Sequence, residues 1–485
     1  MLDDILADRR KKLARLIAAG VNPYPARTGR TLPVAEALAK FQAASQGGQD
    51  VAVAGRIMAL RDQGGVIFLD IQDGSGQIQA VLKKENLPGF DIFQANLDRG
   101  DFVMTAGPLF LTQRGQKSIE VKAVQLLTKS LRPIPTEWYG VEDPDLRLRQ
   151  RYLELLLTPE TKELFRKKNI FWQTFREYLA KRQFLEVELP VLEPVPGGAE
   201  AEPFVTHHNA LDTDFYLRIS LELPLKKLLV GGYDAVFEIG RIFRNEGIDK
   251  EHLQDYTQLE FYWAYHDYND CMGLVENMYK EVIERTTGGL VTTREGVKID
   301  WAKPWPRVDY VEAFAAANGL DPIAADQVEL AGLATKLGLK PEPNLGKGRL
   351  IDLIYKKTVR PKLVEPCFLI DPPVEIEPLA KRKEGKPDQV ERFQVMAAGT
   401  ELGKGFSELN DPLDQRARFE EQMRLRAAGD TEAQRIDEDY LAAMECGMPP
   451  NTGFGVSERL FALLMDKPIR ETVFFPLMRP ERQSE

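Results

Sequence analysis

Residues 238–262, EIGRIFRNEGIDKEHLQDYTQLEFY, hold side chains that together suit a nucleoside triphosphate lying beside an amino acid. Arg244 stands in an F-R-x-E frame with Glu246, His252 follows eight residues later, and Tyr256 four beyond that. Glu260 and Tyr262 alternate onto one face of what reads as a strand. A guanidinium fork donates several fixed hydrogen bonds, so it can clamp carboxylate and phosphate oxygens together. A flat aromatic ring stacks on a purine. Buried carboxylates pair an ammonium group. F-R-x-E alone is also the pattern of an ordinary strand with a solvated ion pair, so the weight rests on the whole string.

The 485 residues allow about two to four domains and a large core. Apolar residues make up 43%, ordinary for a globular chain. No segment is long and apolar enough to span a membrane. The start, MLDDILADRRKK, is charged and lacks a signal-peptide core, so a cytoplasmic protein is expected. Cys271, Cys367 and Cys446 are far apart and read as buried thiols in a reducing compartment. With four histidines and no Cys/His cluster, a zinc site is not expected. A net charge of −10 argues against unselective coating of nucleic acid, which needs many cation–phosphate contacts. It leaves room for a specific RNA partner. Arg9, Arg10, Lys11, Lys12 and Arg15 form a basic run that is either such a patch or a solvated helix face.

These residues need elements to hold them. Residues 1–20 read as an amphipathic helix with Ile5, Leu13, Leu16 and Ile17 on one side. Gly20 and Pro23 end it. A second helix over about 34–41 precedes a polar loop, QAASQGGQD. From Val51 the period changes to two. The runs VAVAGRIMAL, VIFLDI, QIQAVL, DFVMTAGPLFL and KSIEVKAVQLL predict five short strands in about 80 residues, which suggests a small closed oligonucleotide-binding (OB-fold) barrel. Phe68 and Gln79 fall on its second and third strands, where an aromatic stacks a base and an amide reads its edge. A lone Phe on a strand is also a usual core residue. Residues 131–148 are Pro-rich and charged and read as a linker. A long helix follows over about 161–182, then a strand over 184–192. PFVTH, DFYLRIS, AVFEIGRIF, QLEFYWAYH, RFQVMAAGTELGKGF and NTGFGVSERLFALL read as further strands with few helices between them. That pattern predicts an α+β core, an antiparallel sheet flanked by helices, and no dinucleotide or P-loop motif is present. The expected domains are a helical extension (1–50), the barrel (51–131), a linker (132–150) and the α+β domain (151–485), with an insertion at about 303–361.

The 238–262 string resembles motif 2 of the class II aminoacyl-tRNA synthetases, most closely the lysyl-tRNA synthetase family, and the resemblance runs over roughly residues 9–480. It implies activation of L-lysine by ATP to an adenylate, then acyl transfer to tRNA(Lys), by a homodimer using Mg²⁺. Such chemistry asks the protein to position groups and neutralise charge, with no nucleophilic side chain. The long helix, the strand and Pro190 resemble the dimer-forming motif 1, although a helix packed within its own subunit has the same periodicity. Arg244 matches the bridge between α-phosphate and substrate carboxylate, Glu246 the residue near the adenine amino group, His252 a triphosphate contact and Tyr256 the ring on adenine. Gly453, Gly455, Glu458 and Arg459 resemble motif 3, in a GFGVSER run one residue shorter than the usual pattern. Arg459 matches the cap on adenine that reaches the γ-phosphate. Glu408 matches the partner of the ε-ammonium, Tyr262 its hydrogen-bonding companion and Phe406 the apolar wall. Gly198, Glu222 and Glu260 match the α-ammonium side. The resemblance also assigns Phe68 and Gln79 to the anticodon, with Gln116 where a glutamate is common.

Two positions depart from the family pattern. Gln394 stands where a magnesium-binding glutamate is usual, and Lys404 where an asparagine lies near the substrate carboxylate; Glu401 remains as a metal ligand. The two changes predict a pocket about two charges more positive than the pattern, with Lys404 partly replacing a magnesium ion. An alternative reading is a degraded synthetase-like protein that holds RNA or senses an amino acid. Another, a paralogue that lysylates protein, conflicts with the full barrel.

Overall fold

The computed structural model describes residues 2–135, 144–247, 253–341, 345–429 and 433–479. They form two compact units, residues 1–140 and 141–485. Among the described residues no helix is long and apolar enough to cross a membrane.

In the first unit the strands Asp50–Asp62, Val66–Gln72, Gln77–Lys83, Phe102–Leu111 and Lys117–Val121 close into a barrel. Closure comes from pairing of Asp50–Asp62 with Phe102–Leu111, together with the parallel pair of Gln77–Lys83 and Lys117–Val121. The last predicted strand is two: the run breaks at Lys122, and Ala123–Thr128 pairs on along Phe102–Leu111. Val53, Ile67, Leu69 and Ile119 fill the interior, as alternation requires. The helix Leu2–Ala18 contributes Leu16 to the same core, while Ile5 and Ile17 are exposed. Its basic run divides. Arg9 is buried and donates to the carbonyls of Arg99, Ser130 and Arg132, Lys12 pairs with Asp98, and Arg15 donates to Asn96. Arg10 and Lys11 remain exposed. The predicted loop QAASQGGQD is instead mostly the helix Phe41–Gly47, a run without Pro or β-branched residues, stopped at Gly48 in the left-handed region.

In the second unit an eight-stranded sheet runs in the order Arg307–Asp309, Cys367–Ile370, Arg392–Ala397, Thr400–Ser407, Asn451–Ser457, Asp255–Ala264, Ala235–Phe243, Leu185–Glu186. Neighbours are antiparallel except for the outermost pair at each edge. One face packs on the helices Pro159–Ala180 and Tyr268–Thr287, whose Phe171, Phe175, Val275 and Tyr279 join Phe261, Phe393 and Phe454 of the sheet. The strand expected over 184–192 is reduced to Leu185–Glu186 and Leu192–Glu193. Its backbone instead docks piecewise, Val187 N on Phe237 O and Leu189 N on the Glu238 carboxylate. The linker's C-terminal end is helical, Pro144–Arg149. Helices Tyr310–Asn318, Gln327–Lys336 and Lys347–Thr358 share a separate apolar cluster around Phe314, Leu330 and Ile354. Cys271 and Cys367 are buried as expected, but Cys446 is exposed at the C-cap of Glu438–Glu445.

Candidate active site

The sheet's other face floors a cavity of about 1140 Å³. Strand alternation decides which residues reach it. On Asp255–Ala264, Leu259 and Phe261 enter the core, while Tyr256, Gln258, Glu260 and Tyr262 line the cavity. Opposite Tyr262 and Glu260 in register lie Gly453 and Gly455, and beyond them Phe406 and Lys404. A β-carbon at Gly453 would stand 2.3 Å from the Tyr262 ring and 2.5 Å from Glu408 Oε1, so only glycine leaves the floor open. The hairpin Arg392–Ser407 turns at Ala398 and Gly399, both at positive φ. Just after the turn it bulges: Val395 opposes Gly403 and Met396 opposes Glu401, so Leu402 is an extra residue. Leu402 then joins the core, and Glu401 shares the cavity face with Lys404 and Phe406.

One end of the cavity is acidic and buried. Glu222, Glu260 and Glu408 are all buried there. Glu260 accepts from Ser220 Oγ at 2.8 Å, Leu221 N at 3.0 Å, Gln258 Nε2 at 2.6 Å and Tyr262 OH at 3.2 Å. Gly198, at φ +80°, packs against Glu222 and Ser220; a β-carbon there would be 2.8 Å from Glu222 Cβ. Lys226, one turn after Glu222, is also fully buried. Its ammonium lies 2.5 Å from Glu222 Oε1 and pairs with Glu408 Oε2. Neither Glu408 oxygen has a partner in hydrogen-bond geometry. Burial pushes Glu222 up to about 7 against the attraction of Lys226, and raises Glu408 for the same reason. Burial, then the surrounding carboxylates, raises Tyr262 as well, so its hydroxyl stays a donor.

The other end carries the cations. Arg244 donates to Ile219 O at 3.3 Å, and its guanidinium carbon lies 5.7 Å from the centre of the Tyr256 ring. Glu246 and Gly247 line the same wall. Arg459 donates to Glu401 O at 3.4 Å and keeps an unpartnered, buried Nε. Glu458, fully buried, accepts from Lys168 at 2.8 Å and from Thr257 N at 3.0 Å, which ties the start of the Arg459 helix to the neighbouring strand. His252 lies outside the described residues. The structure thus gathers Gly198, Glu222, Arg244, Glu246, Tyr256, Glu260, Tyr262, Gln394, Glu401, Lys404, Phe406, Glu408 and Arg459 around one cavity.

The positive charge at Lys404 has a counter-ion that the sequence reasoning passed over. Lys404 Nζ donates to Glu377 Oε2 at 2.8 Å, and Arg392 Nε lies 3.5 Å from the same oxygen. Burial opposes ionisation of Glu377, but Lys404 and Arg392 together hold it below the usual carboxylate range. The charge of Lys404 is therefore offset. Gln394 donates to Glu401 Oε2 at 2.5 Å, so this pair offers one carboxylate. Among the described residues no three His, Cys, Asp or Glu side chains converge on a metal position. The donor set fits a hard ion held chiefly by phosphate oxygens with Glu401, rather than a protein cage. Lys226 was also missed, since a lysine in a helix reads as solvated; the signal was a Glu-x-x-x-Lys pair inside the otherwise Leu-rich ELPLKKLLV.

On the barrel, Ile67, Leu69 and Ile71 point inward, which leaves Phe68 and Gln79 half-buried on the outer face. Asp70 opposes Gln79 in register and pairs with Arg61, and Ser118 donates to Gln79 Oε1 at 3.0 Å. Gln116 is exposed in the neighbouring turn.

Residues 143–479 match the family model of class II tRNA synthetases (D, K and N), and residues 51–127 match that of the OB-fold nucleic acid binding domain. A lysine–tRNA ligase of Moorella thermoacetica is 46% identical, with 99% of each chain covered. Those of Roseiflexus sp. and Carboxydothermus hydrogenoformans are 45% and 43% identical, again over 99% of each chain. With a buried acid pocket and two arginines on the face of an antiparallel sheet, and with these matches over its whole length, the chain belongs to the class II tRNA synthetases of the D, K and N group.

Proposed function

We propose that this chain is a lysine–tRNA ligase, which activates L-lysine with ATP and passes the lysyl group to the 3′-end of tRNA(Lys). The observation that carries the substrate choice is Glu408, buried in the cavity lining near Tyr262, with Lys226 against Oε2 and no hydrogen-bond donor on Oε1. An ammonium arriving there gains a partner, whereas a substrate carboxylate would meet like charge. Glu222, Glu260 and Gly198 take the α-ammonium. Arg244 holds the substrate carboxylate against the α-phosphate, with Lys404 beside the carboxylate. A carboxylate oxygen attacks the α-phosphorus, the bond to the bridging oxygen breaks, and pyrophosphate departs. Arg459 draws charge at the far phosphates, and Tyr256 and Glu246 hold adenine, with His252 a further triphosphate contact. Glu401 would hold a magnesium ion, which neutralises phosphate charge when bound. A hydroxyl of the tRNA 3′-end then attacks the acyl carbon and AMP leaves.

Phe68 and Gln79 read the anticodon in this proposal. A second copy of the chain covers the short edge strand and the segment after it, where Leu185, Val191 and Leu192 are exposed; sedimentation should then report a homodimer. The cytoplasm is the compartment that supplies these substrates. ATP–pyrophosphate exchange tested with each amino acid separately should depend on lysine. Exchange that depends on a different amino acid, or on none, would overturn the proposal and favour the degraded RNA-binding alternative.

A further inference from the structure

Lys226 does more than the fold requires. A lysine with no solvent exposure, set between two buried carboxylates, costs more than a packed apolar side chain of the same length. Its neighbours on the helix Glu222–Val230, Leu223, Leu225 and Leu229, are buried and apolar, so burial of this helix does not itself call for a lysine. The rings of Phe406, Tyr262 and Tyr440 surround its ammonium at 5.4, 5.8 and 5.9 Å. When all three are ionised, Glu222, Glu260 and Glu408 contribute three negative charges and Lys226 one positive, a surplus of two. We propose that Lys226 is a specificity-determining residue, an internal ammonium that spaces Glu222 and Glu408 and leaves between them the charge of two amino groups, one for each end of a diamino acid. The proposal rests on the lysine reading above and adds the residue that sets the charge count.

Without Lys226 the buried carboxylates face one another with no cation, and at neutral pH a proton takes its place. The other titratable groups facing Glu408 are Tyr262 on the strand Asp255–Ala264, Tyr440, Glu377 and Cys271, and none supplies a positive charge. A protonated Glu408 no longer distinguishes an ε-ammonium from a methyl group. The test is Lys226→Met in the full chain, with kcat/KM for lysine and for norleucine measured by pyrophosphate exchange from pH 6.5 to 9. The expected result is a lysine-to-norleucine preference at least tenfold below the parent's at pH 7, recovering as pH rises and Glu408 ionises. KM for ATP stays within about twofold. A folded variant with the parent's preference overturns the proposal, because a packing role weakens both substrates alike. If Lys226→Met does not fold, the Lys226→Met, Glu222→Gln double variant restores the charge count. It should keep the preference within about threefold of the parent, and a collapsed preference there also overturns the proposal. A parent chain without lysine-dependent exchange defeats the functional reading instead, and the parent control separates the two failures.

Discussion

Glu222 places a titration inside the pocket near neutrality. Burial raises it to about 7. A protonated carboxyl cannot pair the α-ammonium, so KM for lysine should rise as pH falls through 7, by up to about tenfold per pH unit, and be flat at higher pH. A pH series of exchange kinetics with saturating ATP checks this. Gly453 makes a second prediction at this scale. Gly453→Ala drives a methyl into Tyr262 and Glu408. Lysine-dependent exchange should drop roughly a hundredfold or more, while binding of an ATP analogue, followed by calorimetry, stays near the parent's.

At the scale of elements, the Lys168–Glu458 pair joins the long helix to the strand–helix turn that carries Arg459. Lys168→Met leaves the buried Glu458 with the Thr257 N–H and, as its remaining cation among the described residues, the partly exposed Arg241 3.8 Å away, and should cost about 3–5 kcal/mol in urea unfolding, with a fall in kcat. The elements also show what was readable beforehand. Long runs with clean alternation, such as AVFEIGRIF and QLEFYWAYH, form full strands because both faces have a fixed destination. The stretch 184–192 failed because it lies at the sheet edge, where Pro190 and side-chain docking replace ladder bonds. Within the site, Glu260 and Tyr262 were legible from periodicity and Tyr256 from its place in the motif. Lys226 and Glu377 were not, because their importance comes from partners distant in sequence, Glu408 and Lys404.

Across the whole molecule, the barrel and the catalytic sheet are separate compact units with separate cores. A lesion on the barrel's outer face should therefore spare amino-acid activation. Phe68→Ala should raise KM for tRNA(Lys) about 5- to 150-fold in aminoacylation, matching the loss of one stacked base, with pyrophosphate exchange unchanged. Equal loss in both assays would remove Phe68 from the RNA-reading surface.

The extra residue at Leu402 has a consequence for how this family can vary. Without Leu402 the pairs Val395–Gly403 and Met396–Glu401 would be consecutive, so its loss would close the bulge and leave Glu401 on the cavity face while removing one buried side chain from the core. Length in this segment therefore governs packing, and the residue at 401 governs the site. A one-residue deletion at 402 should lower stability in urea unfolding, whereas alanine at Glu401 should lower lysine-dependent exchange with little change in stability.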